Sequence, residues 1–368
     1  MTTPLCRWGI LSTASIARKN WQAILDSGNG ELVAVASRNR AKSAQFIAEC
    51  QAQVPHPQVP EALGSYDELI AAPGIDALYI PLPTGMRKPW VIRAAEAGKH
   101  VLVEKPVGNC AANVAEMIAA CKANDVQFMD GVMFMHSERL AEMRRVLDKG
   151  DGVGRIRRIA TQFSFNGGDE FVANNIRAHS MLEPLGCLGD LGWYCVRFSL
   201  WALGYAMPEF VTGRIHAQAQ QADGLATVPT EFSGELHFTN GVSASFFTSF
   251  QAQNTQLAHI SGTAGYIALD DFVLPFVGPK MGFNLTQSEF IAEGCHFAMH
   301  AGRTHAHFDE APNNGPTSQE ANLFRNFGRL LLTGQRDDHW PTIALKTQRL
   351  LDACLESARN ASAAVRVA

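Results

Sequence analysis

The sequence predicts two domains: an α/β domain built on a parallel sheet, then an α+β domain built on a large, mostly antiparallel sheet. Three observations carry this. A chain of 368 residues is long for one hydrophobic core. Over the first 130 residues, strand-like and helix-like segments alternate, which indicates right-handed βαβ units. Beyond residue 150, strand-like segments follow one another through tight turns, which indicates antiparallel pairing. The boundary is placed at residue 130, giving domains 1–130 and 131–368.

In chain order, Arg7 to Leu11 reads as a strand. Ser15 to Ser27 reads as a helix with Ile16, Trp21, Ile24 and Leu25 on one side, ended by Gly28-Asn29-Gly30. Glu31 to Ser37 is a second strand and Ala41 to Cys50 a second helix. Asp76 to Pro81 is a strand, Lys88 to Ala97 a helix and His100 to Val103 a strand. A helix lies within Val107 to Asn124, and Val126 to Asp130 is a further strand. In the second half, Arg155 to Phe165, Val211 to Gln218, Glu231 to Phe238, Val242 to Gln251 and His259 to Ser261 read as strands. Asn240-Gly241 between two of them is a hairpin signal. Helices are expected over Ser318 to Leu332 and Thr342 to Ala363, free to pack back on the first domain.

Charge and composition narrow the function classes. Formal net charge is −4, from 31 basic and 35 acidic residues, so nothing draws the protein to nucleic acid or an anionic membrane. No apolar run reaches the roughly 18 residues of a membrane helix. The eight cysteines are scattered with no Cys-x-x-Cys, which argues for a reduced, cytoplasmic protein without a structural zinc site. Met1 to Trp8 runs into a strand without the basic, apolar, small-residue order of a secretory signal.

The first strand runs into Gly9-Ile10-Leu11-Ser12-Thr13-Ala14-Ser15-Ile16-Ala17. A dinucleotide-binding turn reads Gly-x-Gly-x-x-Gly/Ala, and here Ser12, Ala14 and Ala17 hold those places. Small residues let the backbone approach a pyrophosphate at the helix amino terminus, where free N–H groups and the helix dipole favour an anion. A plain strand–turn–helix fits equally well. The second strand ends at Ser37-Arg38-Asn39-Arg40, where an NAD-selective enzyme usually places Asp or Glu for the ribose 2′-hydroxyl. A serine and arginines suit a 2′-phosphate instead, through charge-assisted hydrogen bonds. NADP(H) is therefore expected over NAD(H), against a solvated basic loop as the competing account. The third strand ends at Ile80-Pro81-Leu82-Pro83-Thr84, whose two prolines stop the strand and fix a rigid loop. That loop suits a wall beside a nicotinamide ring; a structural turn explains it equally.

Lys105 closes the run His100-Val101-Leu102-Val103-Glu104-Lys105-Pro106. A buried strand has no use for a Glu-Lys pair at its carboxyl end, but that end is where an open α/β sheet binds ligands. A lysine held there polarises a carbonyl or hydroxyl oxygen; the bland account is a solvated lysine before a turn. In the second half, Gly186-Cys187-Leu188-Gly189-Asp190-Leu191-Gly192-Trp193-Tyr194 leads into a helix expected to begin near Asp190. Asp190 and Tyr194 are four apart and share a face of such a helix. Capping by Asp190 and packing by Tyr194 is the competing account.

Together these segments resemble the Gfo/Idh/MocA family, the glucose–fructose oxidoreductase and inositol dehydrogenase group. The likeness also runs through Val33 to Arg38, Tyr66-Asp67-Glu68-Leu69, Ile75 to Thr84, Ala94 to Pro106, and Ile260 to Ile267. It implies an amino-terminal Rossmann domain and a second domain with an open-faced sheet. It implies that Lys105 belongs to the Glu-Lys-Pro motif, and that Asp190 and Tyr194 occupy the family's Asp-x-x-x-His/Tyr positions. A tyrosine there resembles the dimeric dihydrodiol dehydrogenase, NADP-xylose dehydrogenase and glucose–fructose oxidoreductase branches. This chain departs from the family with Thr84, Gly85 and Arg87 ahead of Trp90, and Met133-Phe134-Met135-His136-Ser137-Glu138 lacks the arginine common directly after the sixth strand.

The expected reaction is hydride transfer between NADP(H), with NAD(H) as the alternative, and a hydroxyl or carbonyl carbon of a carbohydrate, polyol or diol. Tyr194 is the expected general base; a free tyrosine titrates near pH 10, so Lys105 is expected to favour its anion while polarising the oxygen. The reverse division, with Lys105 moving the proton and Tyr194 positioning, stays open. Asp190 orients, no metal is needed, and Arg177, in an expected loop Asn174 to His179, is a candidate for the substrate. The cofactor is expected against Gly9, Ser12, Thr13, Ala14, Ser15, Ile16, Ser37, Arg38, Pro81, Leu82, Pro83, Thr84, Arg87, Glu104 and Lys105. A homodimer or homotetramer is expected through the second-domain sheet, whose Ser243, Ser245, Phe247 and Ser249 alternate with Val242, Ala244, Phe246 and Thr248. A nicotinamide-dependent glycosidase, a sugar–sugar oxidoreductase and a non-catalytic NADPH-binding sensor are the rival functions.

Overall fold

The first strands of the chain lie side by side in one parallel sheet. In the computed structural model, which describes residues 4–222, 224–278 and 281–367, the chain divides into two compact units. One runs up to His136 and takes in Met181–Pro184 and Asn313–Gln348; the other holds Ser137–Ser180, Leu185–Pro312 and the chain from Arg349. The first unit thus extends past residue 130 and includes two later segments.

In the first unit β1 (Cys6–Leu11), α1 (Ser15–Asp26), β2 (Gly30–Ala36), α2 (Arg40–Gln53), β3 (Glu61–Leu63) and α3 (Tyr66–Ala71) are followed by β4 (Ala77–Ile80), α4 (Thr84–Glu96), β5 (His100–Val103), α5 (Ala111–Ala123) and β6 (Phe128–Asp130). The sheet order is β3-β2-β1-β4-β5-β6, every pair parallel. This is the Rossmann order, and ligands bind outside the carboxyl ends of its strands, at the reversal between β1 and β4. β4 is buried along its whole length and β5 along all but His100, as happens when helices cover both faces of a parallel sheet. α1 buries Ala17, Trp21 and Ile24, one helical stripe. The helix Gln319–Leu332 also packs here, and its Phe324 and Phe327 hold Trp8 at ring-centroid distances of 4.9 and 5.0 Å.

Three elements of this unit differ from expectation. β3 and α3 were not expected; α3 is one short turn-and-a-half made possible by a Ser65 side chain that accepts the Glu68 N–H at 3.1 Å, while Glu68 accepts the Gly64 N–H at 3.1 Å. α4 begins at Thr84, four residues before the expected start, with Pro83 at its cap and Pro89 inside it. Only Pro81 to Pro83 therefore form the loop.

The second unit contains α6 (Glu138–Lys149), β7 (Ile156–Ser164), α7 (Gly168–Asn174), α8 (Gly186–Asp190), α9 (Gly192–Ala202), β8 (Phe210–Ala219), β9 (Val228–His237), β10 (Ser243–Ser249), β11 (Thr255–Gly262), β12 (Tyr266–Leu269), β13 (Met281–Glu293), β14 (His296–Phe308) and β15 (Val365–Arg366). Its nine-stranded sheet has the order β14-β13-β12-β11-β7-β10-β9-β8-β15, antiparallel except where β7 and β10 run parallel. One face buries Ile159, Phe163, Phe232, Leu236, Ala244, Phe246, Ile260 and Ile267, with α8 and α9 packed on it. On the other face Arg158, Glu235, His237, Ser243, Ser245, Phe247, His259 and Tyr266 stay half-buried or exposed. Ser249 departs from that face: it is buried, and its hydroxyl donates to Glu231 at 2.9 Å. β13 and β14 form a long hairpin that was not expected, and its outer half is exposed.

Candidate active site

At the end of β1, Ser12 has φ 134°, a conformation that glycine adopts at little cost and serine does not. The tight turn of the fingerprint is thus made without its glycine. Ser12 Oγ accepts the Ala14 N–H at 3.1 Å, and Thr13 and Ala14 lie half-buried beside it. Ala14 caps α1 with no side-chain hydrogen bond into the helix, and Ser15 and Ile16 in its first turn are exposed, Ile16 by 41%. Gly9 is buried beneath, where a Cβ would crowd Leu78, Leu69 and Ile75.

Ser37, at the end of β2, is buried, and Arg38 beside it is exposed. Arg40 is spent on Glu68 at 3.2 Å, whereas Arg38 enters no ion pair among the described residues. Tyr66 faces the two loops, with the Ser12 side chain and the Arg38 charge both acting on its hydroxyl. Burial raises its pKa above the ordinary value against both. Tyr66 is not among the residues the sequence predicts for the site, because a tyrosine opening a six-residue helix carries no spacing signal of its own. A hydroxyl, a buried serine and an unpaired guanidinium, with no carboxylate on the loop after β2, fit a nucleotide bearing a 2′-phosphate.

Beyond β4, Pro81, Leu82 and Thr84 are buried. Thr84 begins α4, where Glu183 accepts its N–H at 3.0 Å and its hydroxyl at 2.5 Å. Gly85 donates to Leu182 O at 2.9 Å, so close that a Cβ on Gly85 would overlap Met181 O. Arg87, expected at the cofactor, is buried and donates to Leu82 O at 2.6 Å, to Glu104 O at 2.6 Å and to Pro106 O. Its guanidinium ties the loop after β4 to the loop after β5. Glu104 is buried and Lys105 half-buried at the end of β5, with a cis peptide between Lys105 and Pro106.

In the second unit, Gly186 opens α8 with φ 51°, and a Cβ there would collide with Pro229 O of β9. The expected single helix through Asp190 and Tyr194 is two: α8 ends at Asp190, Leu191 breaks the run, and α9 starts at Gly192. The flanking Gly189 and Gly192 weaken a continuous helix there. Tyr194 is buried, 7% exposed, with its ring 5.6 Å from Phe163. The segment before α8 is not a loop throughout but α7 and a 3-10 turn, Ile176–Ala178. Gln221 fastens it by donating to Val172 O and Asn175 O at 3.1 and 2.8 Å. This places Arg177 on Asp190, Nε to Oδ2, at 3.1 Å. Among the described residues, no three His, Cys, Asp or Glu side chains gather as a metal site, and no helix is long and apolar enough to cross a membrane.

The family model for oxidoreductases with an NAD-binding Rossmann fold matches residues 6–132, and that for the GFO/IDH/MocA C-terminal domain matches residues 140–268. This chain belongs to the GFO/IDH/MocA oxidoreductase family. It is 31% identical over 273 residues to trans-1,2-dihydrobenzene-1,2-diol dehydrogenase of Mus musculus, covering 73% of this chain and 76% of that one. It is 31% identical over 261 residues to D-xylose 1-dehydrogenase (NADP(+)) 2 of Haloferax volcanii, covering 70% and 74%. Among solved structures, a 3-ketoreductase from Actinomadura kijaniata with bound NADP has a TM-score of 0.75 at 23% identity over 96% of this chain and 97% of that one. Levoglucosan dehydrogenase with NADH and levoglucosan has a TM-score of 0.80 at 17% identity, over 99% and 100%. As a GFO/IDH/MocA member, the protein is an oxidoreductase whose Rossmann sheet and second, mostly antiparallel sheet match the fold of these neighbours.

Proposed function

We propose that the protein transfers hydride between NADP(H) and a hydroxyl or carbonyl carbon of a sugar, polyol or diol. The observation that carries the reading is the position of Lys105 at the carboxyl end of β5, the edge where a Rossmann sheet binds its ligand. The relatives' activities, on a dihydrodiol and on xylose, support the substrate class. When bound, the nicotinamide gives or takes the hydride. In the reading, Ser12 to Ile16 receive the pyrophosphate, and Ser37 and Arg38 receive the 2′-phosphate. Lys105 polarises the substrate oxygen with its positive charge. Tyr194 takes the hydroxyl proton in oxidation and returns it in reduction. Asp190 and Arg177 orient the substrate; residues 1–130 serve the cofactor and residues 131–368 the substrate.

The second-unit sheet serves a homodimer or homotetramer. Strand register places exposed Phe290, Phe297 and Met299 of the β13–β14 hairpin on the same face as Phe247 and Tyr266. Isolated apolar side chains are ordinary on a surface, but Phe290 and Phe297 stack at a ring-centroid distance of 6.1 Å, and exposed aromatic pairs on an open sheet face favour burial against a second copy. The eight cysteines, none in a disulfide, support a reducing, cytoplasmic setting.

The test is a screen of sugars, polyols, diols and dicarbonyls with NADP(H) and NAD(H), following absorbance of the reduced nicotinamide. Turnover of at least one hydroxyl or carbonyl compound is expected. Binding of NADPH without turnover on any compound supports the sensor instead, and glycoside cleavage without net nicotinamide change supports the glycosidase.

A further inference from the structure

Three polar side chains, Asn20 of α1, Tyr79 of β4 and Glu104, are buried in one cluster next to Lys105. Glu104, one residue earlier, turns its carboxylate into the sheet. Its Oε1 accepts the hydroxyl of Tyr79, from β4, at 2.7 Å, and Nδ2 of Asn20, from α1, at 3.5 Å. Asn20 Nδ2 also donates to Tyr79 Oη at 2.5 Å. Glu104 Oε2 accepts the backbone N–H of Lys105 itself, at 3.2 Å. Asn20 is 4% exposed, Tyr79 0% and Glu104 9%.

A parallel sheet between helix layers is stabilised by apolar side chains, and each polar group buried there costs free energy unless it is bonded. Leucine at 20 and phenylalanine at 79 would serve packing alone. The bonds that satisfy these groups end on the peptide that carries Lys105. That peptide is gripped twice, since the Glu104 carbonyl oxygen accepts from Arg87 at 2.6 Å while the Glu104 carboxylate holds the following N–H. Burial, then the adjoining carboxylate, raises the Tyr79 pKa well above its ordinary value, so its hydroxyl stays a donor across the working range.

We propose that Asn20 and Tyr79 are positioning residues for Lys105, acting through Glu104. The inference rests on the catalytic reading of Lys105. Small displacements of a catalytic group cost up to about a hundredfold in rate, and three elements here converge to prevent one.

The experiment is a double-mutant cycle on kcat with wild type, Tyr79→Phe, Lys105→Met and the double variant, each checked for folding and for NADPH binding. Tyr79→Phe is expected to lower kcat about tenfold with KM for NADPH within about twofold, and to cost nothing further once Lys105 is methionine. Wild-type kcat in Tyr79→Phe overturns the proposal. So does a loss that adds in full to that of Lys105→Met, because Tyr79 then acts elsewhere. Should Tyr79→Phe fail to fold, Asn20→Ala carries the same cycle. Wild-type turnover in Lys105→Met alone identifies the catalytic reading as the one that fails, and the positioning role goes with it.

Discussion

Arg177 Nε lies 3.1 Å from Asp190 Oδ2, the guanidinium 45% exposed and the carboxylate 12%. A half-exposed pair of this kind contributes under about 1 kcal/mol to stability. In the proposed function its weight falls on the substrate, because the pair holds the Asp190 carboxylate. Arg177→Ala is expected to lower Tm by no more than about 3 °C and to raise the substrate KM about fivefold or more. NADPH affinity should be unchanged. Melting curves and steady-state kinetics check this; an unchanged KM makes Arg177 a surface residue.

Arg38 is the exposed cation on the β2 loop once Arg40 is engaged by Glu68. Loss of a charge-assisted hydrogen bond costs about 1.5–3 kcal/mol. Arg38→Ala should weaken NADPH binding at least about tenfold, and NADH binding less than about threefold. Fluorescence titration of both nucleotides measures the difference. Equal weakening of the two removes Arg38 from the 2′-phosphate.

The parallel sheet was legible because β1, β2, β4 and β5 are short apolar runs between helices with apolar stripes. β3 and α3 escaped since three residues, Glu61–Leu63, and six, Tyr66–Ala71, are too short for periodicity to show. The β13–β14 hairpin escaped because its outer half is exposed on both faces, so apolar and polar residues do not alternate. Lys105, Asp190 and Tyr194 stood out as polar residues at the ends of apolar or glycine-rich runs. Arg87, Asn20 and Tyr79 did not reveal their contacts, because each bonds to at least one group distant in the chain and local spacing carries no trace of that.

His100 sets part of the pH dependence of stability. Burial, then the positive charge of Arg336, lowers its pKa from 6.5 to about 4, and its Nδ1 accepts the Gln127 N–H at 2.8 Å. The unfolded chain takes up a proton there below pH 6.5 and the native one does not until about pH 4. This contribution is therefore full above pH 6.5 and is lost as pH falls through that window. His100→Asn keeps an acceptor without the titration. Between pH 6.5 and 5, wild type should lose about 1 kcal/mol more than the variant, after discounting for partial exposure. Parallel Tm profiles for the two proteins contradict this.

The hairpin face bearing Phe290, Phe297 and Met299 is expected to be covered in solution by a second copy. Sedimentation of Phe290→Glu with Phe297→Glu should show a smaller species than wild type at equal concentration, with the monomer's secondary structure retained. A wild-type protein that sediments as a monomer, or a variant with unchanged mass, excludes this face as the interface.

The most direct measurement of the central claim is kcat for Lys105→Met and Tyr194→Phe alongside their NADPH Kd, on a substrate found by the screen. Loss of at least about a hundredfold in kcat in each variant, with NADPH Kd retained, is the expected result. Near-wild-type turnover in both variants contradicts hydride transfer assisted by these two residues.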